Sequence, residues 1–172
     1  MENIEMLAKR YIKESGFDVP LIIESEKEKK NRSFGAYHVE KKSIILREKM
    51  LLEEYQKQVQ NGVFNDFESF LKVVVFHEIG HAQDAELEHL QKKKMKLLKG
   101  LPLVRTKKEL DEQIAKIVEV VLKAEKNAWD YAEKHMDERN KKTTALYKRM
   151  SIQGYVNTFL FLREKTSQNL IS

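Results

Sequence analysis

"VVVFHEIGHAQD", residues Val73 to Asp84, is the most apolar stretch of an otherwise polar chain, yet it holds two histidines and a glutamate. From Phe67 to Ala82 apolar side chains cover nearly every face of a helix, and such a helix is normally enclosed by other elements. Asn65, with Glu68 three residues later, supplies an N-terminal cap. The break at "KGLPL" falls on Gly100 and Pro102. The spacing therefore predicts one long central helix over 66–99, around which the rest of the chain must pack.

Working outward from that helix, "IEMLAKRYI" puts Ile4, Leu7, Ala8, Tyr11 and Ile12 on one helical face, closed by Gly16. This predicts an N-terminal helix over 1–16. "VPLIIES" is short and β-branched and reads as a strand. "SFGAYHVEKKSIILR" reads as two extended pieces with a turn near Glu40 to Lys42, so a small sheet is expected over 17–46. "EKMLLEEYQKQVQNG" reads as a helix ended by Asn61-Gly62. Thr106 with Glu109 forms a capping box that opens a helix over 106–136, and a last helix is expected over 143–165. The predicted fold class is α+β, mostly helical, with a small sheet packed on the central helix and a C-terminal helical pair, all in a single domain over 1–172.

Composition bounds the function. The 172 residues include no cysteine, which excludes a disulfide scaffold and a thiolate metal site. Charged residues make up 34% and hydrophobic ones 41%, so the chain can build a core and is expected to be soluble. The N-terminus lacks an apolar signal region and no run nears the roughly 20 residues that cross a bilayer. No membrane partner and a cytoplasmic location are the expectation. The net charge of +5 gives a weak nucleic-acid signal. Its basic clusters, Lys27 to Arg32 and the segment 91–108, carry no nucleic-acid-binding signature, and a solvated lysine surface is the preferred reading of them.

The chemistry lies in His77-Glu78-x-x-His81. Residues four apart lie about 40° apart around a helix, so the two imidazoles can hold one ion. Nitrogen and oxygen ligands in this pattern suit Zn2+. Glu78 sits about 100° from His77 and about 60° from His81. It flanks the ion, as a general base acting on water would. The alternative, two core histidines satisfied by carbonyls, would bury two imidazoles and a carboxylate that each need a partner.

A hydrolytic zinc site needs a third protein ligand and an open position. Asp84 lies on the histidine face but a turn further on, which suits a partner of His81 better than a ligand. On the following helix the apolar stripe comprises Leu110, Ile114, Ile117, Val118, Val121, Leu122, Ala128, Trp129 and Ala132. Glu125 lies near its middle, whereas Glu112, Glu119 and Asp130 fall on the wet side. Asp111 also falls within the stripe, but in the first turn, where the helix dipole accounts for an acid. A carboxylate at Glu125 must meet either a metal or a buried cation.

The motif HEIGH, followed on the next long helix by "EKNAWDYA" (Glu125 to Ala132), resembles the small ImmA/IrrE-like HExxH peptidases. Their second motif, E-x-x-A-x-x-aromatic-A, is matched by Glu125, Ala128, Tyr131 and Ala132. "FGAYHVEKKSIIL" resembles the strands that precede the active helix in zincins. The resemblance covers roughly residues 19–136. It implies a minimal zincin-like, gluzincin-type domain in which His77, His81 and Glu125 bind zinc and Glu78 is the base. It also implies a protein substrate, often a repressor that controls mobile elements or stress genes.

His38 and Tyr37 fall on a strand of the kind that pairs with extended substrate in zincins. His135, Tyr147 and Tyr155 are candidates to donate a proton or stabilise an oxyanion. The expected function is thus a zinc-dependent metalloendopeptidase with a specific protein substrate. Two alternatives stand beside it: a catalytically weak zinc-containing regulator that binds DNA or a partner protein, and an SprT-like protease acting on DNA-bound proteins. The intact Glu78 argues against the first, and the absence of zinc-ribbon cysteines against the second.

Overall fold

The computed structural model describes residues 3–25 and 33–169, so the basic cluster at 27–32 lies outside the described residues. The element order is α1 (Ile4–Glu14), β1 (Leu21–Glu24), β2 (Gly35–His38), β3 (Ser43–Arg47), α2 (Glu48–Gln60), α3 (Phe67–Gln83), α4 (Leu87–Gly100), α5 (Lys107–His135) and α6 (Glu138–Asn169). A 3-10 turn at Leu101–Leu103 links α4 to α5. The fold is a mostly helical α+β arrangement with one small mixed sheet.

β3 is the middle strand, and every residue from Ser43 to Arg47 is buried. β1 runs parallel to it, with Leu21 opposite Ile44, and β2 runs antiparallel, with Gly35 opposite Leu46. The order β1-β3-β2 leaves β2 at an edge. The Arg47 N–H bonds the Phe34 carbonyl at 2.8 Å. By antiparallel alternation Ala36 and His38 also bond inward, so Gly35 and Tyr37 present their backbone groups outward.

α3 runs through the centre. Its Phe70, Leu71, Val73, Val75 and Ile79 have no exposed surface. They pack against the sheet (Ile44, Leu46), α1 (Leu7, Ala8) and α5 (Trp129, Ala132) in one continuous core. A second cluster, built on Leu110, Ile114, Ile117 and Val121 of α5, takes in Leu97 and Leu98 of α4 and Phe159 of α6. Asp111, expected only to meet the helix dipole, also accepts two bonds from the Arg163 guanidinium at 2.6 and 2.9 Å, tying α5 to α6.

Three sequence expectations need correction. The helix predicted over 66–99 is two helices. Asp84 leaves helical geometry (ψ 104°) and its Oδ1 accepts the Glu86 N–H at 2.9 Å. A short acidic side chain that captures a backbone N–H two residues on competes with the helix ladder, with no glycine or proline needed. The cap of α3 is Asp66 rather than Asn65, since the Asp66 carboxylate accepts the Ser69 N–H at 2.7 Å. The last helix starts at Glu138, well before 143, because Asp137 accepts the Asn140 N–H at 3.0 Å and opens it. The capping box of Thr106 and Glu109 forms as expected.

Candidate metal centre

α3 carries His77, Glu78 and His81, and α5 carries Glu125. Gly80 lets the two helices meet. A Cβ at position 80 would lie 2.4 Å from the Ala128 carbonyl oxygen and 2.7 Å from its Cα. The backbone of α5 therefore rests directly on α3 beside His81. Glu125, three residues before Ala128, lies on the same face of α5 and overhangs the histidine pair.

Glu125 Oε2 lies 3.4 Å from His77 Nε2, and Oε1 lies 3.6 Å from His81 Nε2. All three ligand atoms fall within 4.8 Å of one another. These separations are long for N–H···O hydrogen bonds. They fit the edges of a coordination tetrahedron, because zinc–ligand bonds of about 2.0–2.1 Å put neighbouring ligand atoms about 3.3 Å apart. The buried Glu125 Oε2 has no hydrogen-bond partner among the described residues. Two imidazole nitrogens and one carboxylate converging on one point suit zinc, and the residues present fit that ion.

Charge is confined here at some cost. Burial would lower the His77 pKa, but the Glu125 carboxylate, helped by Glu78, outweighs it and raises it. Burial, reinforced by His77, pushes His81 down to about 4. Glu125 is opposed by burial yet held below its usual range, chiefly by His77. The protein thus stabilises a negative carboxylate in its interior by requiring a positive charge at the histidines, and a metal ion would supply that charge without protonating a ligand.

Glu78 occupies a different place. It is buried, and its Oε1 would lie 3.1 Å from a Cβ at Gly35, so glycine there leaves room for the carboxylate. The outward Tyr37 N–H donates to it. Burial raises the Glu78 pKa to about 7, against the pull of His77. The carboxylate therefore stands between the histidine pair and the free edge of β2, outside the ligand triad.

The remaining sequence candidates separate clearly. Tyr155 of α6 enters the cleft, and its hydroxyl donates toward the Glu125 carboxylate. Burial, then Glu125, raises its pKa. His135 does not reach the site. It lies about 15 Å further along α5 than Glu125, with its ring stacked on Tyr131 and its Nδ1 at 2.8 Å from the Tyr131 carbonyl. Asp84 does not partner His81. Its Oδ2 accepts the Asn127 side-chain amide at 3.0 Å, while Oδ1 holds the Glu86 N–H. Tyr147 is a core ring between Phe64 and Trp129. His38 accepts the Lys41 N–H in the hairpin turn.

Three contributions were not read from the sequence. They are the close approach at Gly80, the Tyr37 backbone N–H, and Trp129, whose ring lies against His77 with centroids 4.1 Å apart. A glycine inside an apolar helix, facing an alanine-containing helix, was the available signal for the first.

The triad opens into a cavity of about 180 Å³ lined by Ala36, Tyr37, Leu90, Lys94 and Val121. A wider opening between α2, α6 and the start of β2 shares Gly35, His77, Glu78 and Tyr155 with it, so the site is reached from both ends of β2. No described helix is long and apolar enough to cross a membrane. Comparison with protein-family models, curated proteins and solved structures gives no match for this chain.

Proposed function

We propose that the chain is a zinc-dependent peptidase acting on a specific protein substrate, with His77, His81 and Glu125 as ligands and Glu78 as general base. The observation that carries this reading is the position of Glu78. It is buried in the same cleft as the triad, yet its carboxylate lies against Gly35 and the Tyr37 N–H of β2 and is not one of the three clustered ligand groups. A purely structural ion has no use for such a carboxylate, and would be closed by a fourth protein ligand.

Bound zinc would supply Lewis acidity, lowering the pKa of water at its open position and polarising a peptide carbonyl. The protein's own groups do the rest. The outward Gly35 N–H and Tyr37 carbonyl offer an extended peptide a strand edge to pair with, fixing its carbonyl near Glu78. The Glu78 carboxylate accepts the proton of the attacking water and returns it to the leaving amine. Tyr155 lines the cleft, and its hydroxyl can serve developing negative charge by turning from Glu125.

The test is Glu78→Gln. The amide keeps the shape and cannot take a proton, so the variant should retain its zinc and lose peptide hydrolysis by at least about 10²-fold. Hydrolysis at the wild-type rate would remove Glu78 from the mechanism.

A further inference from the structure

The cleft continues past the metal centre along β2. Beyond Tyr37, the hairpin residues Val39, Glu40 and Lys42 form one wall of a groove, and α4 forms the other. Gln91 borders both this groove and the metal cavity, so the two adjoin there. On α4 the groove is lined by Lys92, Lys96 and Lys99, spaced i, i+4 and i+7 and therefore on one stripe. The stripe reaches about 12 Å beyond Gln91. Lys92 is tied to Glu88 at 2.6 Å, and Glu88 also feels Lys42. Lys96 and Lys99 form no ion pair with a described residue. Along the groove as a whole, four lysines thus outnumber two glutamates. At the opposite end of the cleft Glu54 and Lys57 cancel each other.

We propose that the groove between the β2–β3 hairpin and α4 selects acidic side chains of an extended substrate segment, on the N-terminal side of the bond to be cut. This rests on the peptidase reading above. The direction follows from strand pairing. β2 runs from the neutral end of the cleft toward the lysine stripe. A segment paired antiparallel, the more stable arrangement per residue, therefore enters with its N-terminal side over the lysines. The groove begins about two residues past Tyr37, and an extended chain advances about 3.3 Å per residue. The carboxylates accordingly fall about three to five residues before the cut. Each exposed lysine–carboxylate pair changes affinity about two- to five-fold, and less at high salt.

The experiment uses a degenerate pool of acetylated, amidated dodecapeptides captured on zinc-loaded Glu78→Gln protein. Captured peptides are sequenced and then digested with the wild-type protein. Asp and Glu should be enriched at least three-fold in one block, and the cut should fall C-terminal to that block. The double charge reversal Lys96→Glu, Lys99→Glu should abolish the enrichment while leaving zinc content unchanged. An unenriched pool, the same profile with both proteins, or acids C-terminal to the cut would overturn the proposal. So would a twelve-base-pair DNA duplex retained more tightly than the selected peptides at equal salt, which would make the stripe a nucleic-acid surface. Selected peptides that bind with the predicted profile but stay uncut would instead count against the peptidase reading alone.

Discussion

Replacing Gly80 by alanine tests the contact that assembles the metal centre. The new Cβ would lie 2.4 Å from the Ala128 carbonyl oxygen, where ordinary contact begins at 3.4 Å, so α3 and α5 must part by about 1 Å (3.4 − 2.4). The atoms in the way are backbone atoms of α5, which cannot rotate aside. Overpacking of this kind costs about 1–3 kcal/mol, and the better helix propensity of alanine returns about 1 kcal/mol. The metal-free variant should therefore lose up to about 2 kcal/mol and melt up to about 8 °C lower. The larger effect is on zinc. Ligand distances must hold to about 0.2 Å, and Glu125 rides on the helix that is pushed away, so affinity should fall about 10- to 100-fold. Gly154→Ala is the control, because nothing lies within 4 Å of a Cβ there, and it should be neutral or stabilising by up to about 1 kcal/mol. Ala128→Gly should not rescue Gly80→Ala, since the obstructing atoms remain. The measurements are thermal unfolding with and without chelator and competitive zinc titration. Wild-type zinc affinity with an unchanged or higher Tm in Gly80→Ala would refute the reasoning.

Purified protein should hold about one zinc, and His77→Ala should lose it by metal analysis. At zinc a hundred-fold above its Kd, binding adds about 2.7 kcal/mol, so chelation should lower Tm by roughly 5–10 °C; no shift would argue against a bound ion. Glu125→Ala should weaken zinc far more than Asp84→Ala, because Asp84 spends its oxygens on Glu86 and Asn127; the reverse order in a zinc titration would unseat Glu125 as a ligand. Tyr155→Phe should keep zinc and lose roughly 10²-fold in kcat if its hydroxyl stabilises developing charge, whereas an unchanged kcat would leave it a packing residue.

The parts of this molecule that could be read from sequence are those in which one side chain acts through its own helix. His77 and His81 are related by a fixed angular step. Glu125 stands out because burial of a lone carboxylate is unfavourable enough to demand a partner. The capping box at Thr106 is a local exchange of hydrogen bonds. What escaped reading depends on a second segment whose position the first does not encode. Asp84 looks on a helical wheel like a third acid of the histidine face. It ends α3 because its carboxylate takes the Glu86 N–H and is anchored from α5 by Asn127. The same break separates the metal helix from the lysine stripe, so α4 can run beside the hairpin instead of continuing along the axis of α3. Asn65 and Asp66 are equally good caps by composition, and the choice between them is made by where the chain enters the core.

Gly80 shows the limit most directly. In sequence it is a weak spot within an apolar helix, costing about 1 kcal/mol relative to alanine. In the fold its missing side chain lets α5 touch α3, and without that approach Glu125 could not come within 3.4 Å of His77. Local destabilisation of α3 is thus the condition for a ligand set drawn from two helices. That is why the candidate third ligand lies 44 residues after His81 (125 − 81) and not on the helix that carries the histidines.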